Sequence, residues 1–224
     1  NNDGLYEIIM PADITANAAA GLPRTGGILH FFNNQLVQTV PGWKAQVAGT
    51  TDADFRGRYE EQSLWSTAQI ADLDRDGRPE IIVGTGNFFQ DSRGSYIKVW
   101  NSDGTLRLTL PTEGRTFASP LIADLDGDGT PEIIAATVSG QIQAWTAAGV
   151  PLFSTAMKPY GLPEGDTAPV VRTPIAVDMN GDGKLEILVS VGSQTVVLDS
   201  AGQVLTSTTQ PELIHFGYEG APVA

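Results

Sequence analysis

One seventeen-residue pattern recurs three times along this chain: IADLDRDGRPEIIVGTG at 70–86, IADLDGDGTPEIIAATV at 122–138 and AVDMNGDGKLEILVSVG at 176–192. The leading aspartates, Asp72, Asp124 and Asp178, stand 52 and 54 residues apart. A period of that length restricts the chain to folds that stack one supersecondary unit on the next. An incomplete fourth copy opens the sequence, where NNDGLYEII sets Asp3, Gly4 and Glu7 against Asp182, Gly183 and Glu186.

What surrounds each acidic stretch repeats as well. An apolar strand follows it (Ile81 to Val83, Ile133 to Thr137, Ile187 to Val191), then an alternating one: YIKVW at 96–100, QIQAW at 141–145, QTVVL at 194–198, and ILHFF at 28–32 in the opening copy. A tight turn (NSDGT, TAAGV, DSAGQ or NNQ) leads to a further strand such as LRLTL at 106–110 or VLTST at 204–208. SPLIA at 119–123 or TPIAV at 173–177 supplies the strand before the loop. Four short antiparallel strands per unit predict an all-β fold of β-propeller blades. About four blades are expected, at approximately 1–66, 67–118, 119–172 and 173–224. The chain opens inside an acidic loop and ends at GAPVA, so two arrangements stay open: a piece of a larger ring, or a closed four-bladed ring. Because successive strands reverse, acidic loops and tight turns should share one face, and the variable loops and blade-to-blade connections the other.

Composition agrees with this frame. Hydrophobic residues make up 41% and charged residues 17% of 224, a globular balance, and 25 glycines with 14 prolines suit many short strands and turns. No apolar run nears the ~18 residues a membrane helix needs, and the first residues do not read as a secretory signal. There is no cysteine, which excludes disulfides, thiolate metal sites and cysteine nucleophiles. A formal charge of −13 argues against nucleic-acid binding through phosphates.

The acidic stretch reads D-x-D-x-D-G-x-x-E. Oxygens at positions 1, 3, 5 and 9 converge only if the chain coils tightly, and the glycine at position 6 allows the sharp turn. Position 7 offers a backbone carbonyl. Hard oxygen donors in this number suit calcium. The expected ligands are Asp72, Asp74, Asp76, Arg78 (carbonyl) and Glu80; Asp124, Asp126, Asp128, Thr130 (carbonyl) and Glu132; and Asp178, Asn180, Asp182, Lys184 (carbonyl) and Glu186. That makes about three Ca2+ sites, with a partial fourth at Asp3 and Glu7. An EF-hand loop starts alike but needs its glutamate at position 12, where this chain has Val83, Ala135 and Val189. The three full loops and the partial copy hold 13 of the 26 acids, so the excess negative charge sits where a cation would neutralise it. Metal-free acidic turns are the alternative explanation, weakened by three copies in register.

The run DLDGDGTPEII and its copies resemble the FG-GAP or VCBS-type repeat, the unit of integrin α-subunit propellers and of many exported bacterial proteins, over nearly the whole chain. The resemblance implies a propeller of about seven blades with calcium at the blade edges. It also implies adhesion, ligand binding or scaffolding in an extracellular, cell-surface or periplasmic setting. Some relatives are carbohydrate-active enzymes, notably polysaccharide lyases, and others are lectins.

A non-enzymatic binding, adhesion or scaffold module is therefore the first reading, and the propeller part of a carbohydrate-active enzyme the alternative. A purely structural module is the third. No catalytic residue is assigned. A protein or glycan ligand is expected on the face opposite the calcium loops, where insertions bring Phe88, Phe89 and Arg93, Tyr160, and the stretch between Lys44 and Ser66. The same aromatics fit equally well as packing between blades. Arg56, Arg58, Glu60 and Glu61 read either as an acid/base cluster or as a solvated loop, the latter favoured. Trp100, Trp145, His30 and His215 are expected to be structural.

Overall fold

The computed structural model describes residues 8–12, 28–32, 63–64, 66–86, 95–157, 170, 172–191 and 194–209. All regular structure among them is strand, and no helix long and apolar enough to cross a membrane occurs. Asp3, Glu7, Phe88, Phe89, Arg93, Tyr160, His215 and the Arg56–Glu61 cluster lie outside the described residues, as does the side chain of His30.

The chain opens with β1 (Ile8–Ala12) and β2 (Ile28–Phe32), an antiparallel pair in which Met10 faces His30 in register. Three fuller sheets follow. The first comprises β3 (Ser63–Leu64), β4 (Gln69–Ala71), β5 (Glu80–Gly86), β6 (Tyr96–Trp100) and β7 (Leu106–Pro111). The second runs β8 (Leu121–Ala123), β9 (Glu132–Ala136), β10 (Gln141–Trp145), β11 (Pro151–Ala156). The third runs β12 (Ile175–Val177), β13 (Glu186–Val191), β14 (Gln194–Leu198), β15 (Val204–Thr209). Each is an antiparallel meander in chain order, the blade of a β-propeller. The inner strands are short because Pro120 and Pro174 cannot donate to a ladder, so pairing begins one residue later.

In the first full blade the inner edge is split. β3 and β4 both pair with β5, at its far and near ends respectively. Between them the Gly84 N–H donates instead to the buried Ser66 hydroxyl at 2.7 Å, so the gap leaves that donor satisfied.

The strands after the acidic loops carry apolar side chains on both faces, because each blade is covered on both sides. Alternation then assigns Ile82, Ile97, Val99 and Leu110 to one interface with Ile133, Ala135 and Trp145 of the next blade. Ile134, Ala136, Ile142 and Ala144 go to the following interface with Ile187, Val189, Val191 and Leu198. Trp100 and Trp145 are both buried. β8 lies beside both β4 and β12, so the inner strands gather together.

Repeated hydrogen bonds stitch the blades. Thr116 N–H donates to the Thr85 carbonyl at 3.3 Å, and the equivalent Val170 N–H to Thr137 at 3.0 Å. The tight turns have the geometry of a type I turn closed by a left-handed glycine and a bulge: Gly104, Gly149 and Gly202 have φ of 85°, 83° and 80°. A side chain at Gly202 would collide with the Phe153 ring of the previous blade, so glycine there also permits close blade packing.

Candidate metal centre

Antiparallel order places the three acidic loops between β4 and β5, β8 and β9, and β12 and β13, on the same face as the tight turns. Each loop folds around its first aspartate. Asp124 accepts the Gly127 N–H on Oδ1 at 2.9 Å and the Gly129 N–H on Oδ2 at 2.8 Å. Asp178 does the same with Gly181 (2.6 Å) and Gly183 (3.0 Å). Asp72 accepts from Asp76 (3.1 Å) and Gly77 (2.9 Å). The position 6 glycines Gly77, Gly129 and Gly183 have φ of 83°, 90° and 85°, as the turn requires. The last acid closes each loop from below: Glu80, Glu132 and Glu186 each take the N–H of the loop's second residue, Leu73, Leu125 or Met179, at 2.7 to 2.8 Å.

That second residue also tells the loops apart. Leu73 and Leu125 are fully buried against the following blade, whereas Met179 is 59% exposed.

Two loops gather three carboxylates each. Single oxygens of Asp72, Asp74 and Glu80 all lie within 4.8 Å of one another, and so do those of Asp124, Asp126 and Glu132. Asp76 and Asp128 stand just outside, each with Oδ1 on the N–H of a position 7 residue, Arg78 at 2.7 Å and Thr130 at 2.6 Å. In the third loop Asn180 takes the place of Asp74 and Asp126, and its amide donates to Asp182 Oδ2 (3.1 Å) and Glu186 Oε1 (3.2 Å).

The electrostatics are those of a site short of positive charge. Burial pushes the Glu132 carboxyl above its ordinary value, the Leu125 N–H draws it back, and Asp126, Asp128 and Asp124 push it up again. Glu132 is 6% exposed and, among the described residues, has one hydrogen bond for two oxygens. A divalent cation would supply the missing partner and cancel the repulsion, and all donors are hard oxygens at calcium-like spacing. The residues fit calcium. Glu80 is also raised by burial, but there the Leu73 N–H and Arg107 oppose the shift. At Asp178 the N–H groups of Gly183 and Gly181 hold the carboxyl below its ordinary value.

Arg107, on β7, is the site residue that the loop motif does not reveal. Its Nη1 lies 2.7 Å from Asp74 Oδ2 and 3.3 Å from Glu80 Oε1. A basic residue where the matching outer-strand positions hold Leu152 and Leu205 was the available signal. The loops also touch one another. A Cβ on Gly127 would stand 2.8 Å from the Gly183 carbonyl oxygen, and the Arg75 guanidinium lies against Gly129.

With this geometry in view, the comparisons with known proteins are specific. The FG-GAP-like repeat matches the chain twice, over residues 72–135 and 124–189, which together span just over half of it. This chain belongs to the FG-GAP-like repeat family. Both repeats contain a complete carboxylate triad, and the second match runs through the third loop to Val189. No curated protein matches the chain. Among solved structures, Sqt1 of Saccharomyces cerevisiae is similar with a TM-score of 0.53 at 13% identity, over 83% of this chain and 46% of that one. The Dos1 propeller is similar with a TM-score of 0.50 at 10% identity, over 84% and 40%. The biofilm matrix protein Bap1 of V. cholerae resembles it more loosely, with a TM-score of 0.40 at 19% identity over 95% and 38%. The chain thus spans less than half the length of each of these neighbours. At such identities the likeness to Sqt1 and the Dos1 propeller speaks to fold alone, that of a β-propeller.

Proposed function

We propose that this chain is a calcium-stabilised propeller module, exported or displayed at a cell surface, that binds or scaffolds a macromolecule. The observation that carries the calcium part is the Glu132 carboxylate, buried beside Asp124 and Asp126, with one oxygen bonded to no described residue and three like charges around it. Bound calcium would supply the charge that holds each loop's carboxylates together. The ligands are those of the sequence motif: Asp72, Asp74, Asp76, Glu80 and the Arg78 carbonyl; Asp124, Asp126, Asp128, Glu132 and the Thr130 carbonyl; Asp178, Asn180, Asp182, Glu186 and the Lys184 carbonyl.

An extracellular setting suits such loops, since millimolar calcium keeps even weak oxygen sites filled. With the acidic loops and tight turns on one face, the opposite face is where a protein or glycan partner would dock. Thermal melts with millimolar calcium and with excess chelator test the stabilising role. A rise of several degrees with calcium is expected, and coincident melts would overturn it.

A further inference from the structure

We propose that Arg107 is a built-in occupant of the first acidic loop, so that calcium enters this loop only by displacing the guanidinium and the loop fills last of the three. The inference rests on the calcium reading above and concerns what distinguishes one loop from another.

The first and second loops carry the same acids in the same order: Asp72, Asp74, Asp76 and Glu80 against Asp124, Asp126, Asp128 and Glu132. Ligand count alone therefore makes them equal. The structure makes them unequal. Arg107 places a full positive charge on Asp74 Oδ2 at 2.7 Å and on Glu80 Oε1 at 3.3 Å, residues of positions 3 and 9. Among the described residues no basic side chain forms an ion pair with the four acids of the second loop.

The difference originates in the outer strand. The bulge registers align Trp100 with Leu106, Trp145 with Pro151 and Leu198 with Val204, so the next residues, Arg107, Leu152 and Leu205, occupy one structural position. Leu152 and Leu205 are about half exposed there and offer no charge. Among the three described four-strand blades, only that of β7 turns the position into a cation aimed at its own loop.

Two cations cannot share these oxygens. A guanidinium ion-paired with two carboxylates repels an incoming divalent ion and must give up both contacts before the ion is coordinated. The apparent affinity falls by the fraction of time the pair is open. The exchange is physically available because the Arg107 side chain is one-fifth exposed and sits on an edge strand, so it can swing to water. The third loop uses a milder device, the Asn180 amide, which can rotate to present its oxygen. The chain would then respond in two stages: two loops full at low calcium, and one that answers to higher concentrations.

Isothermal titration of the chelator-stripped chain with calcium chloride, at constant ionic strength near 0.15 M, tests this in three proteins. In the unaltered chain two tighter events and one weaker by about tenfold or more are expected. Arg107→Leu, which installs the residue of the other blades, should tighten the weak event by about tenfold and leave the other two within about twofold. Asp72→Asn should abolish the weak event alone. Arg107→Gln, which keeps length and polarity, guards against a folding defect in the leucine variant and should act in the same direction. Unchanged or weakened affinity on removing Arg107, or a weak event that survives Asp72→Asn, overturns the proposal while leaving calcium binding intact. The absence of any binding in the unaltered chain would instead overturn the calcium reading on which it stands.

Discussion

The backbone N–H of Leu185 donates to the carbonyl of Leu125 at 2.9 Å, tying the end of the third acidic loop to the body of the second. The matching positions in the two earlier loops are Pro79 and Pro131, which have no N–H to give. One residue choice therefore converts two neighbouring loops into a hydrogen-bonded pair.

Replacing Leu185 by proline should remove that bond without disturbing the local backbone, since proline already occupies the position in the other copies. A loss of about 1 to 2 kcal/mol in urea-induced unfolding is expected, part of it from lost apolar packing. Leu185→Ala separates the two contributions, because it trims the side chain and keeps the donor. Equal losses in both variants would mean the bond contributes nothing.

Gly127 and Gly181 hold equivalent places, with φ of 77° and 80°. Open space surrounds Gly181, whereas Gly127 faces the Gly183 carbonyl of the next loop at 2.8 Å from a Cβ's position. Gly181→Ala should thus cost only the left-handed backbone, about 1 kcal/mol. Gly127→Ala should cost more and loosen contact between the second and third loops. Chemical denaturation of the pair reads the difference.

The raised Glu132 carboxyl sets a pH dependence whose sign can be worked out. In the metal-free protein the folded state holds its proton to higher pH than the unfolded chain does. Across the window above the ordinary value of 4.5, this group therefore costs stability as pH rises, and returns it on acidification. Asp178 works in the opposite sense: its lowered carboxyl contributes stability above the ordinary 3.8 that is lost as pH falls through the lowered value. Glu132→Gln should accordingly raise metal-free stability near neutral pH and flatten its dependence above 4.5. The same variant should lose the calcium response of the second loop. Melts between pH 5 and 8, the range of ordinary stability maxima, check both statements.

Much of this is legible in the amino-acid sequence. YIKVW, QIQAW and QTVVL coincide with β6, β10 and β14, because alternation bounded by a tight turn marks a strand from both ends. The strands after the loops run longer or shorter than their apolar cores: Ile81 to Val83 extends to Glu80–Gly86, since glycine and threonine continue a ladder that hydropathy does not announce. SPLIA and TPIAV overstate the inner strands by the residues up to each proline. In the loops, the motif names the converging acids but not their neighbours. Arg107 lies 33 residues from Asp74 in the chain, and only the return of the outer strand brings the two together. The exposure of Met179, the Ser66 bridge and the Leu185 bond likewise depend on which blade stands next to which.

Anomalous X-ray scattering from crystals grown with calcium in excess would locate the ion in the loops. A peak is expected inside each of the three acidic loops, with aspartate and glutamate oxygens about 2.3 to 2.6 Å away. Loops with no peak, their carboxylates holding only backbone N–H groups and water, would contradict it.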